Sequence, residues 1–204
     1  MMRHAQKALL LALAALGSTA LAADPPSPGS PAPAFTLPDA AGKSHSLADF
    51  KGKYVVLEWV NFGCPFVRKH YDSGNMQSLQ KTYTGKGIVW LSICSSAPAK
   101  QGYSEGKNLL ERIAEEKSAA TAYLVDKEGI VGHAYGAKTT PHMFIINPEG
   151  MLIYAGGIDD KPSTDRKDIT TTANYVREAL DAALAGKPVT TATSRPYGCS
   201  VKYK

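Results

Sequence analysis

"NFGCPFVRKHY", residues 61–71, places one cysteine, Cys64, where an apolar extended run gives way to a helix. Upstream lies "YVVLEWVNF", 54–62, nearly continuous in apolar, β-branched and aromatic residues. That composition suits a central strand covered on both faces. Downstream, Pro65 fits a first helical turn, where its missing N–H costs nothing, and helical signals run over 65–83. A thiol at such a junction faces unpaired N–H groups and the positive end of the helix, which stabilise a thiolate. Because the thiolate is the attacking species in disulfide exchange, Cys64 is the candidate nucleophile; a buried inert thiol is the alternative. Arg68, four residues on, lies over the same helix face and is expected to add positive charge. Tyr71 shares that face as a packing residue, whereas His70 points away from it.

Glu58 interrupts the strand. A carboxyl inside "VVLEWV" must be partly desolvated, which raises its pKa and favours the protonated form. It is a candidate proton relay to or from the thiol that resolves Cys64. A solvated strand edge, or an ion pair with a lysine such as Lys53, is the competing reading.

The rest of the chain surrounds this junction with alternating elements. "AFTLPDAAGKSHSLADFKGK", 34–53, reads as a hairpin with a Gly turn, and "GIVWLSICS", 87–95, as a second buried strand. "SEGKNLLERIAEEKSA", 104–119, is an amphipathic helix with Leu109, Leu110 and Ile113 on one face. "TAYLVD" is a short strand, and "HMFIINPEGMLIYAGG", 142–157, a hairpin turning at Pro148-Glu149-Gly150. A final helix covers roughly 168–185, with Ile169, Val176, Leu180 and Leu184 at helical spacing, and a tail closes the chain. This order predicts one α/β domain over 35–204, a mixed sheet with an N-terminal hairpin and helices on both faces.

The ends bound the compartment. "MMRHAQK", "ALLLALAALG" and "ALA" at 20–22 form the basic, apolar and small-residue parts of a signal peptide over 1–22. The apolar stretch is too short to span a bilayer, and no integral membrane segment is expected after cleavage. Cleavage after Ala22 leaves 182 residues and lowers the formal charge from +5 to +3, scattered without runs. Such a balance gives no nucleic-acid or lipid-binding footprint. "ADPPSPGSPAPA", 23–34, reads as an extended tether. An exported chain, periplasmic or secreted, is therefore expected, and its three cysteines are too few for a disulfide-stapled scaffold.

Two thiols compete to resolve Cys64. Cys199, in "RPYGCSVKY", 195–203, sits on a Gly-flanked tail able to fold back over the site, and closing a long loop costs little more than closing a short one. A static staple is the alternative to a working pair. Cys94 falls at the carboxyl end of the strand expected beside 54–62, where α/β sites collect, although a plain buried cysteine is the commoner explanation. His142 with Cys64 and Cys199 would make a soft copper site, but the spacing gives it no support and no metal or other cofactor is expected. Trp59 and Phe62 read as core, and Asp159-Asp160 as a turn or helix cap.

The strand entering "GCPFV", the stretch "AYGAKTTPHMFIINPEGMLIYAGG", 134–157, and the closing helix resemble the thioredoxin superfamily. Within it, the paired "GCPFVRKHY" and "RPYGCSVKY" segments resemble exported redoxins of the alkyl hydroperoxide reductase/thiol-specific antioxidant group, in its peroxiredoxin-like branch. The resemblance implies a thioredoxin fold, with Pro141 as the cis-proline facing Cys64. It also implies that the Thr140 backbone offers a strand-like edge to a thiol partner, and that Glu58 corresponds to the buried acid of thioredoxins. Val67 stands where thioredoxins carry their second cysteine. Asn61 and Leu57 stand where peroxiredoxins carry Thr or Ser and Pro. Thiol–disulfide exchange with a protein thiol or disulfide, or a small thiol, is therefore expected ahead of peroxide reduction. A thiol peroxidase and a non-catalytic binding or copper-carrying module are the alternatives.

Overall fold

β-Branched and aromatic side chains of Val55–Trp59 form the middle of the structure, a computed structural model that describes residues 24–204. The leader expected over 1–22 lies outside the described residues. The hairpin β1 (Thr36–Pro38) and β2 (Ser44–Ser46) is followed by a 3-10 turn and then β3 (Val55–Trp59). Next come α1 (Pro65–Asp72), α2 (Asn75–Thr84), β4 (Val89–Cys94), α3 (Gly106–Glu115), β5 (Ala122–Val125) and α4 (Ile130–Ala134). The chain continues through β6 (Thr139–Thr140), β7 (His142–Ile146), β8 (Leu152–Gly156), α5 (Tyr175–Leu184) and β9 (Cys199–Ser200).

The main sheet runs β5-β4-β3-β7-β8. β3, β4 and β5 are parallel, whereas β7 pairs antiparallel with both β3 and β8. Side-chain alternation along β3 divides two cores. Val55, Leu57 and Trp59 join Phe35, Leu37, Val131 and Tyr135 beneath the hairpin and α4. Val56 and Val60 join Val67, Tyr71, Leu79, Leu109 and Leu180 of the other helices. Each fully buried aliphatic or aromatic side chain here contributes roughly 1.5–3 kcal/mol. Helices thus cover both faces, as expected for a thioredoxin-like mixed sheet, and the Cys64 end of β3 opens toward α1.

Several boundaries differ from the sequence pattern. The single helix expected over 65–83 is broken at Gly74, whose φ of +76° is left-handed and starts α2 in a new direction. The last helix starts at Tyr175, not near 168, because the Asn174 side chain caps it by accepting from Arg177 N at 2.9 Å. Residues 166–170, including Ile169, form a 3-10 turn instead. Leu110 and Leu184 are exposed, so each helix packs a narrower stripe than its spacing predicts. The 23–34 tether is docked in its described part: Gly29 and Ala32 donate to Leu152 O and Gly150 O, and Leu152 N donates to Ser30 O. The unpaired edge of β8 supplies these partners, and an edge is where prolines are tolerated.

Candidate active site

Cys64 is the N-cap of α1, fully buried, with Pro65 in the first turn. The turn entering it is built by Asn61, whose Oδ1 accepts from Gly63 N at 2.8 Å and whose backbone O accepts from Cys64 N at 2.9 Å. The cysteine side chain does not cap the helix, so first-turn N–H groups remain for its sulfur.

The residue facing it belongs to the expected cis-proline strand. Thr140-Pro141 is cis, and Cys64 Sγ donates to Thr140 O at 3.1 Å. Thr140 pairs antiparallel with Cys199. The edge expected to receive a partner is therefore filled by the chain's own tail. Gly198 makes this possible: its φ is +134°, and a Cβ there would lie 2.0 Å from Thr140 O. Beyond Cys199 the tail is held by Val201 N to Lys138 O, Ala97 N to Lys202 O, and Tyr203 Oη donating to Ala137 O. The tail is a strap over Cys64, and it explains that residue's burial.

Burial alone would raise the Cys64 pKa. The Cys199 thiol, the Thr140 hydroxyl and the N–H groups of Val67 and Cys199 outweigh it and lower the value. The Thr140 hydroxyl is buried without another hydrogen-bond partner, leaving it free to face the sulfur. The neutral thiol donates to the Thr140 carbonyl, while the thiolate is received by these donors. Cys199 shifts the opposite way, pushed up to about 11 by burial and by Cys64. One thiol is tuned to ionise and its neighbour to keep its proton. All three cysteines are free.

Glu58 lies fully buried on the α1–α2 side of the sheet. Tyr71 Oη donates to its Oε1 at 2.9 Å, and Gln80 Nε2, Trp90 Nε1 and Ser92 Oγ donate to its Oε2 at 3.0, 2.8 and 3.0 Å. Burial raises its pKa more than these donors lower it. Neither an edge location nor a Lys53 pair describes it. Among these contacts none reaches Cys64 or Cys199, so a direct relay has no hydrogen bond to follow.

Arg68 is not turned to Cys64. Its guanidinium pairs with Asp72 and Glu116, whose carboxylates draw it along the outside of α1. The expected contribution to the thiolate is absent from the groups that shift Cys64. Cys94 Sγ donates to Gly102 O at 3.4 Å and has no hydrogen bond to Cys64. His142 lies tilted against Phe144, ring centroids 4.4 Å apart, and its Nδ1 accepts from Lys138 N. Burial lowers its pKa to about 3. Among the described residues no group of three or more His, Cys, Asp or Glu is placed to hold a metal ion. Trp59 is core, donating to Ser95 Oγ, and Phe62 packs edge-on to Tyr71.

The sequence pattern missed a buried polar cluster behind the site. Lys69 Nζ contacts Asp159 Oδ2 at 3.1 Å with both side chains at most 1 % exposed, and donates to Lys161 O at 2.8 Å. His70 and Tyr197 complete it. Asp159 serves the expected turn, its Oδ1 accepting from Lys161 N at 3.0 Å, and is also an ion-pair partner, while His70 is buried on a second face of α1. Helical spacing showed one packed face of α1. The available signal was the pairing of "VRKHY" with "RPYGC", two segments each holding a tyrosine and at least one cation close to a cysteine.

Comparison with known proteins agrees with this geometry. The AhpC/TSA family profile matches residues 28–155, a span that contains Cys64 and Pro141 and stops before Cys199. Thiol-disulfide oxidoreductase ResA of Geobacillus thermodenitrificans is 31 % identical over 149 residues, 71 % of this chain and 80 % of that protein. A crystal structure of an uncharacterized conserved protein from Geobacillus kaustophilus superposes with a TM-score of 0.74 at 28 % identity, covering 93 % of this chain and 98 % of the other. The thioredoxin domain of a thiol-disulfide oxidoreductase from Bacteroides vulgatus matches with a TM-score of 0.51 at 26 % identity, over 71 % of this chain and 96 % of that one. With more than half of its length inside the profile and a thioredoxin-like sheet beneath the cysteine, the chain belongs to the AhpC/TSA family, the redoxins of the thioredoxin superfamily.

Proposed function

We propose that the protein is an exported thiol–disulfide oxidoreductase in which Cys64 is the nucleophile and Cys199 the resolving thiol. The observation that carries this reading is the meeting of the two cysteines at Thr140, which pairs with Cys199 and whose carbonyl accepts from Cys64 Sγ at 3.1 Å; the Cys64 pKa is lowered and that of Cys199 raised. The name ResA among its relatives points the same way. The expected leader is what supports export, and an N-terminus at Ala23 in the purified mature protein is the measurement; a retained leader would contradict it.

In the forward direction the Cys64 thiolate attacks one sulfur of a partner disulfide. A bond forms from Cys64 to that sulfur, and the other partner sulfur leaves as thiolate. Cys199 then loses its proton and attacks Cys64 Sγ, expelling the second partner sulfur. The partner gains two electrons, and the chain carries a Cys64–Cys199 disulfide until an external thiol reduces it. Because Cys64 is buried, entry requires β9 to leave β6, and a partner's extended segment then takes the Thr139–Thr140 edge. Insulin reduction with a thiol donor is expected at rates well above the donor alone, while hydrogen peroxide consumption stays at the level of a free thiol. Fast peroxide turnover without insulin reduction would overturn the reading. Asn61 serves the turn and Leu57 faces the opposite core, so neither provides a peroxidase feature.

Glu58 is assigned a positioning role, a carboxyl beneath the site whose pKa burial raises and whose ionisation changes the field there. Glu58→Gln keeps the geometry: the amide oxygen accepts the three donors at Oε2, and the amide N–H₂ donates to Tyr71. The folded pKa lies above the unfolded one, so stability from this group is present below the ordinary carboxylate range and is lost as pH rises through the folded value. Wild type should lose stability relative to the variant as pH rises above the ordinary carboxylate range in urea unfolding. The pH profile of exchange should shift in the variant, and an unchanged profile would remove Glu58 from the mechanism.

A further inference from the structure

Tyr197 stands two residues before Cys199 and is 9 % exposed although it belongs to the tail. Its hydroxyl donates to Asp159 Oδ1, and its oxygen faces His70 Nε2 at 3.3 Å. The cluster has one hydrogen-bond direction. Asn75 Nδ2 lies 2.9 Å from His70 Nδ1, which makes Nδ1 the acceptor and leaves the proton on Nε2, toward Tyr197. Lys69 holds Oδ2 of Asp159, leaving Oδ1 to accept from the tyrosine and from Lys161 N. The Tyr197 ring lies edge-on to Phe66 at 5.8 Å and 5.6 Å from Lys69 Nζ.

Phe66, Lys69 and His70 all project from α1, the helix that begins at Cys64. Asp159 comes from the segment after β8, and Tyr197 from the tail. A phenylalanine at 197 would keep the ring against Phe66 and Lys69; only the hydroxyl hydrogen-bonds the Asp159 carboxylate. One glycine then separates this anchor from Cys199.

We propose that Lys69, His70 and Asp159 form a clasp for the Tyr197 hydroxyl, so that Tyr197 is a positioning residue setting how firmly Cys199 is held at Cys64. The inference deepens the reading of Cys199 as resolving thiol and rests on it. The helix that presents the nucleophile also grips the strap that covers it. A weaker grip therefore lowers the effective concentration of Cys199 and exposes Cys64 together.

The test is Tyr197→Phe in the full mature chain, with two readouts. The first is the equilibrium in which the dithiol protein and glutathione disulfide give the Cys64–Cys199 disulfide and two glutathione thiols. Its effective concentration is expected to fall about tenfold, the effect of losing a hydrogen bond to a buried charge. The second is Cys64 alkylation by iodoacetamide in a Cys199→Ser background, where Tyr197→Phe should speed the reaction about tenfold or more. Gly198→Ala, whose Cβ would clash with Thr140 O, lifts the tail by a separate route and should move both readouts the same way. If Tyr197→Phe stays within twofold on both, the clasp is wrong, even where its melting temperature falls. If wild type forms no Cys64–Cys199 disulfide, the resolving role of Cys199 fails instead, and the alkylation rates alone still decide whether Tyr197 holds the tail.

Discussion

Cys64→Ser is expected to abolish disulfide exchange, and Cys199→Ser to halt it midway. Serine at 64 keeps the N-cap geometry and removes the only sulfur that sits at the helix start, so insulin reduction should fall by at least about 10³-fold. In Cys199→Ser the first attack remains possible, but nothing inside the chain expels the second partner sulfur. A covalent adduct between Cys64 and the partner should then accumulate and be visible as a reducible mass increase. Turnover would depend on external thiol and slow by roughly the effective concentration that Cys199 supplied. Cys94→Ser provides the contrast. Its sulfur is engaged with Gly102 O, and its loss should leave exchange near wild type. Full activity in Cys199→Ser together with loss in Cys94→Ser would reverse the assignment of the resolving thiol.

Asp159→Ala is expected to give the largest loss of stability. Lys69 would remain buried with its charge opposed only by the Lys161 carbonyl, and Tyr197 and His70 would each lose a partner. Breaking one side of a buried ion pair costs about 3–5 kcal/mol. For a chain of this size each kcal/mol lowers the melting temperature by about 2–4 °C, so a drop of roughly 6–20 °C is expected. Pairing Asp159→Leu with Lys69→Met, which removes both charges and keeps apolar volume, should restore much of it. A melting temperature within about 2 °C of wild type for Asp159→Ala would show that the charges are solvated in solution.

The strand–Cys–helix junction was legible because its signals are local: a continuous apolar run, one cysteine, and proline in the next turn. The same holds for the two hairpins, where turn residues separate short extended runs. Glu58 was legible as a misfit, since a carboxyl inside an apolar strand must be buried with partners; which partners depended on α2 and β4 packing above it. Gly74 carried a break in the helix that periodicity alone passes over, because the apolar spacing continues through Met76 and Leu79. Arg68 illustrates the limit of helical-face reasoning: sharing a face with Cys64 did not decide the guanidinium's direction once Asp72 and Glu116 were within reach. The cluster joins Lys69 to Asp159, 90 positions on, and His70 to Tyr197, 127 positions on, in separate elements, so no local pattern reports it. The docking of the tail on Thr140 was expected in outline, as a fold-back over the site; its pairing as a two-residue strand emerged only from the register.

The most direct measurement is a peptide map of the mature protein, alkylated without reduction after equilibration across a graded glutathione buffer. Expected is a Cys64–Cys199 disulfide that opens reversibly within the buffer range, with Cys94 alkylated throughout. A Cys64 that stays free in every buffer, or a Cys64–Cys199 bridge that none of them opens, would contradict the exchange cycle proposed here.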